Sequence, residues 1–408
     1  MLLFALLACS DALKDDDART DDTGETDTGV TDTGPTDTGT PPDTDTATDT
    51  AEDTGAPDTG DADPGCRSTP AVADRTRAVL VSLPYDARGD RADTWAVLSL
   101  GTDGGLTDTG ERLAMGHATT GTVAFTPDGS LAIAVTERGA LAVYDVGAGR
   151  VVESAWDGGF YADSVTVDPS GEVAWVVDGN WPDNGGGLWR VALDCATGAP
   201  SGATRVLEAK NPSRLVILDA SRAVLVGREV PGTATGDDVA WLAWGERPRV
   251  TGGADAFGDD EAIVSDAARV GDTLLLGDNS LFSGIPNRVA RVGLDGTVAA
   301  PVEVEDPVAL APFPDGSARA LVASGYGDAL LVLDVAAGRT STVSTRPRVQ
   351  LPGSMAQVTR GRLAGLTLVS EVGGVRLVAL SAAGATDAGV VSLGTGTENM
   401  VGAVGVAP

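Results

Sequence analysis

One unit recurs along this chain and limits what it can fold into. An apolar residue leads into a Pro-Asp-Gly type turn, a strand follows, and a second strand ends on Asp-x-x-x-Gly. The first copy is Phe125-Thr126-Pro127-Asp128-Gly129-Ser130-Leu131 followed by Tyr144-Asp145-Val146-Gly147-Ala148-Gly149-Arg150. The second runs Val167-Asp168-Pro169-Ser170-Gly171, then Leu193-Asp194-Cys195-Ala196-Thr197-Gly198. The third is Phe313-Pro314-Asp315-Gly316-Ser317-Ala318, then Leu333-Asp334-Val335-Ala336-Ala337-Gly338-Arg339. Gly129 and Gly171 are 42 residues apart, and Gly171 and Gly316 are 145 apart. The longer gap is close to three repeats of about 48. Pro fixes φ at the first corner of such a turn, Asp can hydrogen-bond the local backbone, and Gly accepts φ > 0.

Between the turns lie short runs of Val, Leu, Ala and Ile with no helical period, so the class is all-β. Weaker copies fill the gaps. Third strands end near Leu100, Tyr144, Leu193, Trp244, Leu294, Leu333 and Leu380. Seven markers spaced roughly 40–50 residues apart predict a seven-bladed β-propeller over 66–408. A pair of two-sheet sandwiches is the competing all-β arrangement. The first repeat, near Ala78-Val79-Leu80-Val81, lacks an inner strand, and Met400 to Val406 is a lone strand pattern. Pairing these two closes the ring and removes its exposed edge.

The pattern Phe-x-Pro-Asp-Gly, strand, Asp-x-x-x-Gly resembles the YVTN-type propeller repeats, a family that includes lactonase-like propellers. The Tyr-Val-Thr-Asn strand is itself absent; Ala134-Val135-Thr136-Glu137 comes nearest. A lactonase-like member would use Asp, Glu and Asn around a central Ca²⁺, which needs only oxygen ligands.

The N-terminal part is of another kind. Leu6-Leu7-Ala8-Cys9-Ser10 resembles a bacterial lipobox, which implies cleavage before Cys9 and its acylation, with 1–9 as signal and lipobox. Each buried CH₂ of the acyl chains contributes about 0.8 kcal/mol to anchoring. The stretch before Cys9 carries no Lys or Arg, unlike the positive n-region of signal peptides. A start farther upstream, or a leader without an anchor, therefore stays open. Ser10 resembles outer-membrane sorting, so an outer-membrane lipoprotein facing the periplasm or the surface is expected. Residues 10–65 are almost entirely Asp, Thr, Gly, Pro and Ala, as in Asp27-Thr28-Gly29 and Asp43-Thr44-Asp45-Thr46. Such a segment cannot bury enough apolar area to offset its ordering entropy, which predicts a disordered acidic tether.

Charge narrows the partners. Lys and Arg total 28 against 59 Asp and Glu, a formal net charge of -31. Nucleic acid binding needs a basic face and is not expected. A monomer bound to the membrane through its anchor, with a protein or glycan ligand, is. After Cys9 the remaining cysteines, Cys66 and Cys195, form a candidate disulfide, as expected of an exported protein. The single histidine, His117, sits in a junction loop, and no nucleophile elbow, P-loop or dinucleotide fingerprint is present. No catalytic residue and no resident cofactor are assigned, with Ca²⁺ the one possibility from the lactonase-like resemblance. Ligand-binding candidates fall in two loops. One is Asp178-Gly179-Asn180-Trp181-Pro182-Asp183-Asn184, with Asp178, Asn180, Trp181, Asp183 and Asn184 as the groups that could hold a cation or a sugar. The other begins Asp278-Asn279 at the corresponding place two repeats later. Two function classes remain: a binding scaffold, and an exported metal-dependent lactonase-like hydrolase.

Overall fold

The turns of the repeat form as their residues dictate. Asp128 Oδ1 accepts the Ser130 N–H at 3.0 Å, Asp168 Oδ1 that of Gly171 at 3.1 Å, and Asp315 Oδ1 that of Ser317 at 3.0 Å. Gly129, Gly171 and Gly316 take φ of 68°, 73° and 73°, a region that a β-carbon disfavours. The Asp-x-x-x-Gly element also closes three times in one way. The N–H groups of Gly149, Gly198 and Gly338 donate to the carbonyls of Asp145, Asp194 and Asp334 at 2.9, 2.7 and 2.9 Å. Each Asp carboxylate then accepts the N–H three positions on, from Ala148, Thr197 and Ala337.

The computed structural model describes residues 65–408, apart from 87, 89, 116–122, 136–140, 153–161, 180–185, 230–236, 259–261, 281–285 and 395–400. The described residues form seven antiparallel blades. Blade one holds β1 (Arg77–Tyr85), β2 (Arg91–Leu100) and β3 (Leu106–Ala114). Blade two is β4 (Val123–Phe125), β5 (Leu131–Val135), β6 (Leu141–Asp145) and β7 (Arg150–Val152). Blade three begins with β8 (Ala162–Val167), β9 (Val173–Asp178) and β10 (Gly186–Leu193). Its fourth strand is the first half of β11 (Pro200–Ile217), which bends at Asn211 (φ 51°) and continues as the first strand of blade four. Blade four is completed by β12 (Arg222–Glu229), β13 (Val239–Ala243) and β14 (Arg249–Ala254). Blade five comprises β15 (Val264–Val270), β16 (Thr273–Asp278), β17 (Arg288–Gly293) and β18 (Val298–Glu303). Blade six has β19 (Pro307–Pro312), β20 (Arg319–Ser324), β21 (Ala329–Asp334) and β22 (Arg339–Thr342). Blade seven has β23 (Met355–Gln357), β24 (Leu366–Glu371), β25 (Gly374–Ser381) and β26 (Gly384–Ser392). The last strand, β27 (Val404–Val406), pairs Val79↔Val406, Leu80↔Gly405 and Val81↔Val404 on β1 and supplies the first strand of blade one.

The core is divided into seven apolar clusters, one between each pair of neighbouring blades. Blade one shows how. Val79 and Val81 face blade seven, where they meet Leu368 and Val375, while Leu80 faces blade two and meets Ala132 and Ala134. Burial on both sides explains why β5 and β9 are buried at every position, without the in–out alternation of a half-exposed strand.

Four antiparallel strands place the first-to-second and third-to-fourth turns on one face of the ring. The second-to-third loops and the connections between blades lie on the other. A strap, residues 65–76, crosses the turn face. Cys66 is bonded to Cys195 in blade three with a Cα separation of 5.8 Å, and its N–H donates to Glu172 Oε1 at 2.8 Å. Arg67 Nη2 donates to the Cys195 carbonyl at 2.7 Å. Farther along, the Ala71 N–H reaches the Pro127 carbonyl of blade two at 3.0 Å, and Arg75 Nη2 the Asp128 carbonyl at 3.0 Å. Asp74 Oδ1 accepts the Arg362 N–H of blade seven at 2.8 Å, and the buried Arg77 donates to the Arg360 carbonyl at 3.0 Å. The strap thus fastens blades three, two and seven before the chain enters blade one.

Candidate functional site

The first strands of the blades touch one another in order around the ring, β4 to β8, β11, β15, β19, β23 and β27, and enclose a central channel. Three consecutive first strands each carry a charged residue that bonds or faces its neighbour along the ring: Asp163 on β8, Arg214 on β11 and Asp266 on β15. Arg214 is 51 residues from Asp163 and 52 from Asp266, one repeat in each direction. Arg214 Nε donates to Asp266 Oδ1 at 3.2 Å, and Nη1 donates to the Asp163 and Ser213 carbonyls, each at 2.9 Å. Asp266 Oδ2 accepts the Leu310 N–H of β19 at 2.8 Å, so this carboxylate joins blades four, five and six.

Asp163 differs from Asp266. Its carboxylate has no hydrogen-bond partner among the described residues and rests against the backbone of Gly179. Burial pushes its pKa up to about 7; the charge of Arg214 opposes that and the nearby Asp178 adds to it. Burial also raises Asp266, against the pull of Arg214 and the two backbone N–H groups it accepts. The channel therefore holds one neutralised ion pair and one carboxyl poised between its two protonation states.

Of the residues expected to bind a ligand, Asp178, Asp278 and Asn279 are described, at the loop-face ends of their strands. Asp178 and Asp278 end β9 and β16, equivalent places in blades three and five. Both carboxylates turn inward. Asp178 is 2% exposed and accepts Trp189 Nε1 at 3.2 Å. Asp278 is fully buried and accepts the N–H groups of Ile263 and Ser280 at 3.1 and 3.0 Å and Arg288 Nε at 3.2 Å. A buried carboxylate must find donors nearby: Asp178 takes one from the adjacent strand β10, and Asp278 takes three from its own blade. Asn279 is half-buried, and its N–H donates to the Ile263 carbonyl at 3.1 Å. Asn180, Trp181, Asp183 and Asn184 lie outside the described residues, as do His117, Cys9 and the tether from 10 to 64. Of the tryptophans, Trp175 is buried with its ring centroid 4.5 Å from that of Trp244, packing blade three on blade four.

Among the described residues, one group of three candidate ligands lies within reach of a common ion: Cys66, Glu172 and Cys195. Its two sulfurs are bonded to each other. Arg214 donates to the Asp163 carbonyl and the Asp266 carboxylate. Among the described residues, no cluster of oxygen ligands matches the Ca²⁺ centre that the lactonase-like resemblance implies.

Sequence reading missed the trio of Asp163, Arg214 and Asp266. A signal existed: each is a charged residue beside a serine (Ser164, Ser213, Ser265) at the start of an apolar first strand, recurring at the blade repeat.

Neither a family model nor a curated protein matches the sequence. Solved structures resemble the fold. Hydrazine synthase of Kuenenia stuttgartiensis matches at a TM-score of 0.51 and 14% identity over 74% of this chain and 96% of that one. A nidogen/laminin complex aligns at 0.46 and 13% over 82% and 98%, and a dihydro-heme d1 dehydrogenase at 0.47 and 14% over 80% and 74%. At these identities the likeness extends to the fold alone: the chain is a seven-bladed β-propeller.

Proposed function

We propose that this chain is a lipid-anchored cell-envelope protein whose propeller, built from YVTN-type repeats, binds a protein or glycan and performs no catalysis. The Leu6-Leu7-Ala8-Cys9-Ser10 motif supports the anchor, with Cys9 as the acylated residue and the outer membrane as its location. The acidic segment 10–65 serves as the tether. The binding reading rests on one observation. Arg214 is held by the Asp163 carbonyl and the Asp266 carboxylate, and among the described residues the Asp163 carboxylate accepts no hydrogen bond. A fixed guanidinium beside a carboxyl free to accept a donor suits recognition of a polar group.

The test pairs two measurements on the full chain. Immobilised wild type and an Asp163→Asn/Arg214→Met variant are exposed to envelope extract, and captured protein and glycan are quantified. Retention by the wild type and at least about tenfold less by the variant is the expected result. A lactone and ester panel is assayed in parallel, with and without Ca²⁺. Capture that the channel substitutions leave unchanged, or turnover of any lactone that a chelator abolishes, would sink the proposal.

A further inference from the structure

The strap meets blade three at a cluster of metal-ligand type. The Sγ atoms of Cys66 and Cys195 and a carboxylate oxygen of Glu172 all lie within 4.8 Å of one another. In the oxidised chain the sulfurs are bonded to each other. Both cysteines are exposed and Glu172 is half-buried, so a small reductant and an ion can reach the cluster from solvent.

The cluster does not depend on the S–S bond for its assembly. The Cys66 N–H donates to Glu172 Oε1 at 2.8 Å, and the Arg67 N–H to the Ser170 carbonyl at 3.3 Å. Arg67 Nη1 donates to the Asp194 carbonyl at 3.2 Å and Nη2 to the Cys195 carbonyl at 2.7 Å. These bonds hold Cys66 beside blade three when the sulfurs part.

The donor set selects the ion. Two thiolates with one carboxylate suit Zn²⁺, whereas Ca²⁺ and Mg²⁺ take oxygen ligands. A tetrahedral Zn²⁺ spaces a sulfur and an oxygen ligand roughly 3.5 Å apart. Glu172 Oε1 already lies 3.5 Å from Cys195 Sγ. Two thiolates on one Zn²⁺ sit roughly 3.8 Å apart, which side-chain rotation can reach at a Cα separation of 5.8 Å. Charge closes as well. The two thiolates and the carboxylate are balanced by a divalent ion together with the Arg67 guanidinium, whose Nη1 lies 3.5 Å from Cys66 Sγ. An N–H beside a ligating sulfur orients it as outer partners of metal ligands do.

We infer that reduction converts the Cys66–Cys195 bond into a Zn²⁺ site formed by both thiolates and the Glu172 carboxylate. An external dithiol gives two electrons and two protons to the S–S bond and leaves as its own disulfide, while Cys66 and Cys195 become thiols. Zn²⁺ then replaces the two thiol protons, which pass to solvent. The fourth position of the ion falls to water. The strap is thus fastened by a covalent bond in oxidising surroundings and by an ion in reducing ones. The inference uses neither the channel nor the ligand proposed for it.

Zn²⁺ titration of the full chain against a chromogenic chelator tests it, with the protein reduced by a phosphine and desalted under argon. The reduced wild type is expected to take up a single equivalent of Zn²⁺ that the oxidised chain does not. Co²⁺ in its place should show the sulfur-to-metal charge-transfer band of a thiolate site. Cys195→Ser should abolish both signals, and Glu172→Gln should weaken Zn²⁺ at least about tenfold. Cys9 is present in every sample, so uptake that it supports alone would survive Cys195→Ser. Circular dichroism follows the fold, and Glu172→Gln, which keeps both cysteines, decides the matter if the serine variant is unfolded. No uptake by the reduced chain, uptake undiminished by either substitution, or unfolding of the ring on reduction would each overturn the inference.

Discussion

Asp163 carries the clearest consequence of a single residue. Its carboxyl titrates near 7 in the folded protein, against about 3.9 in an unfolded chain. Between those values the native state binds a proton that the unfolded state has lost. Folding stability therefore falls as pH rises from about 4 to about 7 on account of this group. Asp163→Asn cannot charge, so the variant should match the wild type near pH 4.5 and exceed it by roughly 1–4 kcal/mol at pH 8. Urea melts at the two pH values check this, and a difference that does not change with pH would contradict it. Arg376 argues in the opposite direction. It is fully buried, bonds both Glu371 oxygens at 2.8 and 3.0 Å and both Asp387 oxygens at 2.9 and 3.0 Å, and donates to the Pro347 carbonyl. Arg376→Met strands Glu371 beneath the loop, whose burial already raises its pKa. A loss of about 3–5 kcal/mol is expected from denaturant melts at pH 7. It should shrink in acid, where Glu371 takes up a proton.

At the scale of the element, closure rests on β27 and on the strap. Removing 400–408 takes away the first strand of blade one and the buried side chains of Val401, Ala403 and Val404. It should cost on the order of 5 kcal/mol and leave a bare sheet edge that aggregates on heating. Calorimetry and light scattering of the truncated chain measure both effects, and a truncated protein that melts like the intact one would mean that the ring does not depend on this strand. The turns were legible in sequence because their chemistry is local: Asp128 and Ser130, or Asp334 and Ala337, bond within three residues. So was the closing strand, since Val404 to Val406 fills the place that the first repeat lacks. The burial of Asp178 and Asp278 was not, because a Gly/Asn-rich loop sequence does not show whether the strand end before it is enclosed. The strap was not legible either. Apart from its disulfide it is held by Arg67, Asp74, Arg75 and Arg77, whose partners lie 53 to 288 residues away and follow no period.

Residues 66–408 form a closed ring in which every blade packs against two others, and the polypeptide enters it at Cys66. That entry point has a mechanical meaning. Cys66 and Cys195 are 129 residues apart in sequence, and the segment between them contains the strap, blades one and two and most of blade three. Tension arriving from the N-terminal side passes through the sulfurs into the turn after β10, and the intervening chain carries none of it. Without that bypass the pull would peel the strap, then draw β1 away from β27, and the ring would open at its one non-covalent seam. Stretched between a handle ahead of Cys66 and another at the C-terminus, the oxidised protein should extend about 430–460 Å less than the reduced one. Equal extension in the two states would show that the load from the N-terminal side takes another route. The disulfide thus keeps load that arrives from the N-terminal side off the strap and off the pairing of β1 with β27.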